Sequence, residues 1–143
     1  KIIQDKNTTN SSGEVNIIEE ALSDEERVIN GHLDNNSVME NGEKLYKSYC
    51  ASCHMYDGKG VAGVFPPLAN SDYMLADIDR AIKTILNGTK ESIIVNKLEY
   101  SGSTMTPYNY LSDEEISDIS TYIFNSWGNQ GETITTERVS LNR

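Results

Sequence analysis

Cys50-Ala51-Ser52-Cys53-His54 holds both cysteines of this 143-residue chain and one of its two histidines. Two cysteines separated by two residues share a helical turn and suit thioether bonds to the two vinyl groups of a haem. The histidine that follows then lies under the iron as an axial ligand. A redox dithiol needs no such histidine and belongs in a thioredoxin-like βαβ pattern, which is missing here. A structural zinc site needs a second pair of ligands, and only His32 remains. The motif therefore predicts one covalent haem c, attached through Cys50 and Cys53, with His54 on the iron.

A haem that only passes electrons wants a neutral, poorly exchanging sixth ligand, and a methionine sulfur meets both needs. The chain offers Met39, Met55, Met74 and Met105. Met55 is tethered beside His54 and cannot reach the other face, and Met39 lies in a polar leader. Met74 sits in Ser71-Asp72-Tyr73-Met74-Leu75-Ala76, where packing is the default role of a methionine. Met105 lies in a Gly/Ser/Thr/Pro loop, Ser101-Gly102-Ser103-Thr104-Met105-Thr106-Pro107-Tyr108, that can lay one side chain over the distal face. Met105 is the expected second iron ligand, with Met74 and His32 as the alternatives. Pro66 or Pro67 is expected to offer a carbonyl to the other ring nitrogen of His54, and Pro67 is taken as the site residue.

Helical periodicity surrounds the motif. Leu45, Tyr46 and Tyr49 lead into it at helical spacing, and Gly42 on the face of Tyr46 invites a close helix crossing. A second helix is predicted near 77–87, with Ala81, Ile82, Ile85 and Leu86 as its stripe and Gly88 as its stop. A third begins at Ser112, with Glu115 completing a capping box, and runs through Ile116, Ile119, Tyr122, Ile123 and Trp127 to Gly128. The expected fold class is all-α, three main helices wrapped around one covalently bound haem.

Charge limits the partners. Twenty-two acidic against twelve basic side chains give −10, with −6 in residues 1–40 and −4 in residues 41–128. Phosphates would repel such a chain, so no nucleic acid is expected; a basic protein partner is compatible. No run of about 18 apolar residues is present, so no transmembrane segment is expected. The chain opens on Lys1 without an apolar signal segment, and reads as a processed protein or an excised fragment. The expected organisation is an acidic leader or inter-domain linker over 1–37, a haem domain over 38–129 and a C-terminal tail over 130–143. The leader is Asn/Ser/Thr-rich at its start and carries one capping box at 23–26 that would start a short helix.

The Cys50 to His54 motif, Phe65-Pro66-Pro67-Leu68, the Met105 loop and Leu111-Ser112-Asp113-Glu114-Glu115-Ile116 together resemble the class I c-type cytochromes over about residues 40–129. In that family proline usually follows the methionine directly, whereas here Thr106 intervenes before Pro107. The resemblance implies the cytochrome c fold, a His/Met haem, electron carriage and a periplasmic or otherwise extracytoplasmic location. Ser71-Asp72-Tyr73, Asn87-Gly88 and Asn125-Ser126-Trp127-Gly128-Asn129 are similar to haem domains that accompany periplasmic enzymes. These imply a redox partner, first a copper nitrite reductase and next a quinoprotein alcohol or sugar dehydrogenase or a terminal oxidase. The rival class, a haem enzyme or gas sensor, would want a distal acid or base, which Arg80 and His32 are poorly placed in sequence to supply.

Overall fold

A computed structural model describes residues 35–143. The capping box at 23–26, His32 and nearly all of the acidic leader lie outside the described residues. In order, the described elements are α1 (Asn35–Tyr49), α2 (Ala51–His54), α3 (Asp72–Leu75), α4 (Ile78–Asn87), β1 (Ile93–Val95), β2 (Leu98–Tyr100), α5 (Asp113–Phe124) and α6 (Thr136–Leu141). The described residues are mostly helical, as expected, and α1, α4 and α5 are the long helices among them. No helix among the described residues is long and apolar enough to cross a membrane.

Sequence explains how the long helices meet. Val38, Gly42 and Tyr46 recur every fourth residue and form the buried face of α1. That face packs on α5, whose Ile116, Ile119 and Ile123 are buried. The crossing is tight at Gly42, where a Cβ would fall 2.2 Å from the Asp118 carbonyl oxygen and 2.7 Å from Tyr122 Cβ. Asn41 donates to the Asp118 carboxylate at 2.6 Å beside it. Ser112 and Glu115 cap α5 reciprocally, each side chain bonding the other's backbone N–H. Asp77 caps α4, and Gly88 ends it at φ +67, a left-handed conformation that suits glycine.

Three parts of the fold depart from the sequence reading. Helix α5 ends at Phe124, so Trp127 is not on its stripe. Asn125 and Ser126 turn their side chains back on the Thr121 and Tyr122 carbonyls, and the chain leaves the helix. Trp127, at φ +54, then packs on Tyr46 at 5.0 Å between centroids and donates from its indole to the Tyr56 carbonyl.

The second departure is a hairpin. Val95 pairs with Leu98 across Asn96 and Lys97, whose φ values of 50 and 68 make the two-residue turn that matches strand twist. Asn96 and Asp72 exchange side-chain to backbone bonds at 3.0 and 2.7 Å, pinning the turn to α3.

The third is the segment 130–143, read as a tail. It folds back on α5 as α6, with Ile134 and Val139 almost fully buried. Ser117 donates to the Ile134 carbonyl, and Arg138 pairs with Asp79 of α4 and with Glu132. Thr and Glu residues around two isolated apolar positions hide this packing in the sequence.

Candidate functional site

Helix α2 and the turn before it carry Cys50, Cys53 and His54. Cys50 closes α1 through its N–H to the Tyr46 carbonyl, and His54 N–H returns to the Cys50 carbonyl, so the three side chains occupy one turn. Beyond His54 the chain reverses at Met55, φ 63, and a loop over 56–68 folds back on itself. Leu68 and Ala69 both donate to the Gly58 carbonyl, and Val61 bridges Phe65. This loop delivers a carbonyl to His54: Nδ1–H donates to Pro66 at 2.8 Å. The acceptor is thus Pro66 rather than Pro67. The Val61–Phe65 bridge turns the chain one residue before the position assigned from sequence, and Pro67 contributes to the cavity wall instead.

That cavity encloses about 1200 Å³ of space, its open mouth included. Cys50, Cys53, His54, Pro67 and Met105 all line it, and so does Met74. Met39, in α1, and Met55 do not. Met105 is half-buried in an extended loop and exchanges backbone bonds with Thr89 at 3.0 and 3.2 Å. Gly88 makes that pairing possible, because a Cβ there would lie 2.2 Å from the Met105 carbonyl oxygen. Met74 is 6 % exposed and belongs to the hydrophobic core as well as to the wall.

Burial sets the protonation of the donors. It holds the His54 imidazole below its usual range, against the opposing pull of the Pro66 bond, and so favours the neutral ring. Burial, with the Cys53 thiol beside it, pushes the Cys50 thiol up to about 12. Redox dithiols lower their thiol pKa values, so this environment is the wrong one for disulfide exchange.

Residues outside the motifs complete the walls. Ile93, Val95 and Tyr100 bring the hairpin to the cavity, and Tyr49 and Tyr108 form another side, with the Tyr108 hydroxyl donating to the Tyr49 carbonyl at 2.7 Å. The sequence signal for the hairpin was Asn96-Lys97 between Ile93-Ile94-Val95 and Leu98-Glu99-Tyr100. Among the described residues, Glu91 is the one carboxylate of the lining, which includes no lysine, no arginine and no histidine except His54. A large, apolar, planar group fits this donor set: two thiols on one turn, an oriented neutral imidazole, and a thioether in the same cavity.

A family model for cytochrome c matches residues 39–127. Cytochrome c-552 of Thermus thermophilus is 35% identical over 91 residues, spanning 61% of this chain and 68% of that protein. The cytochrome c subunit of a quinone alcohol dehydrogenase from Gluconobacter oxydans is 31% identical over 88 residues, 62% of this chain but 18% of the subunit. The fructose dehydrogenase cytochrome subunit of Gluconobacter japonicus is 33% identical over 104 residues, 68% of this chain and 21% of that subunit. The chain thus spans about two thirds of the first relative and a fifth of the two dehydrogenase subunits.

Proposed function

The chain belongs to the cytochrome c family, and on that premise we propose that it is an outer-sphere electron carrier whose haem iron would be held by His54 and Met105. Family membership implies a covalently bound haem c, and Cys50 and Cys53 are the cysteines available to hold it. Once bound, the haem iron supplies one-electron exchange between its ferrous and ferric states.

The chain's own residues keep that exchange clean. Cys50 and Cys53 would fix the ring in place. Pro66 fixes the tautomer and orientation of His54 by accepting its Nδ1 proton. The apolar walls exclude water, which favours the less charged state and limits reorganisation when the electron moves. The observation that carries the reading is the meeting of Cys50, Cys53, His54 and Met105 in one cavity whose lining, among the described residues, has no arginine and no second histidine. A haem enzyme would want such an acid or base above the iron.

The relatives that are cytochrome subunits of dehydrogenases support a quinoprotein dehydrogenase as the redox partner, outside the cytoplasm. The copper nitrite reductase expected from sequence resemblance finds no support among these relatives, and neither does a terminal oxidase.

The ligand assignment is tested by the weak red absorption of a ferric iron–thioether bond. Met105→Ala is expected to abolish the band and Met74→Ala to leave it in place. The opposite pattern would move the sixth ligand to Met74.

A further inference from the structure

Arg143 stands far along the chain from the cysteine motif, yet its guanidinium sits on the segment that carries Met105 to α5. Nη1 donates to the Asn109 carbonyl at 2.9 Å and Nη2 to the Leu111 carbonyl at 2.6 Å, while Nε pairs with Asp113, the first residue of α5. One planar fork therefore grips two loop carbonyls and the helix start together, a geometry that lysine cannot reproduce. The Arg143 side chain is about one-third exposed, so its bonds are partly shielded from water.

The base from which it reaches is rigid. Val139 is fully buried against the core, Asn142 donates to Asp79 of α4, and Ile134 is bonded to Ser117 of α5. The rest of the loop has separate anchors, Thr89 on Met105 and the Ile85 and Tyr49 carbonyls on Tyr108. Between Tyr108 and α5, Arg143 supplies the cross-chain bonds to the Asn109 and Leu111 carbonyls.

We propose that Arg143 is a positioning residue for Met105: it holds the loop over 105–111 shut, so that the methionine sulfur stays at the iron. This rests on the reading of Met105 as the sixth ligand. A loop held less firmly spends a larger fraction of time open, and a competing ligand then binds in proportion to that fraction.

Imidazole titrated into the ferric holoprotein, followed by loss of the thioether band, measures that fraction. Arg143→Ala is expected to lower the half-saturating imidazole concentration by about tenfold, from the loss of charge-assisted bonds to the loop. Arg143→Lys is expected to fall between Arg143→Ala and the parent protein. Arg138→Ala is the control. It removes the pairs to Asp79 and Glu132 from α6, the helix just before Arg143, without touching the loop, and should leave the titration within about twofold while lowering thermal stability. If Met105→Ala keeps the band, the ligand reading fails and the proposal falls with it. If the band depends on Met105 but Arg143→Ala titrates like the parent, or Arg138→Ala shifts as far, the positioning role alone is overturned.

Discussion

A Cys50→Ala, Cys53→Ala double variant is expected to leave no haem on the denatured polypeptide and to lose most of its helical far-ultraviolet signal. The reason is the size of the cavity that the cofactor would fill, about 1200 Å³ with its mouth. Its walls come from α2, α4, the hairpin, the Met105 loop and α5, so these elements share an apolar lining that water would otherwise enter. Folded domains hold a net stability of only about 5–15 kcal/mol. Loss of most contacts along one side of several elements exceeds that margin, since each buried aliphatic side chain contributes roughly 1.5–3 kcal/mol. Either single variant retains one attachment point and is expected to keep part of the haem. Absorbance of the acid-extracted polypeptide and circular dichroism check both halves. A double variant that keeps its haem after extraction would contradict covalent attachment through these residues.

Gly42→Ala is expected to destabilise the protein by about 3 kcal/mol or more, a core-overpacking effect at the upper end of its range. Helix propensity alone points the other way, because alanine is favoured over glycine by about 1 kcal/mol inside a helix. The crossing decides the sign. The added carbon would lie 2.2 Å from a backbone oxygen of α5, and a backbone cannot step aside as a flexible side chain can. For a domain of about 100 residues, the melting temperature should drop by roughly 12 °C or more. Gly102→Ala provides the contrast: nothing lies within 4 Å of its Cβ position, and little change is expected. A Gly42→Ala protein as stable as the parent would mean that α1 and α5 do not cross at this point.

What could be read from the residues alone divides along a physical line. Local signals were sufficient where one turn of chain carries its own explanation. The cysteine motif, the Ser112–Glu115 box, the Asp77 and Gly88 bounds of α4 and the small residue at the α1 crossing all belong to that class. Features set by distant partners were missed. Helix α6 depends on Ile134 and Val139 finding α5, and the hairpin depends on Asp72 holding Asn96. The Pro66 carbonyl faces His54 because of the bridge between Val61 and Phe65, a detail of one residue that composition cannot resolve. Trp127 kept the helical spacing of its neighbours although the helix had already ended, so periodicity assigned it to the wrong element.

The most direct measurement is to mix carbon monoxide with the dithionite-reduced protein at neutral pH and follow its visible spectrum. With His54 and Met105 on the iron, no position is open, and the spectrum is expected to remain that of the reduced protein over minutes. A complete, rapid spectral shift on mixing would contradict an outer-sphere carrier and place the chain with haem enzymes or gas sensors.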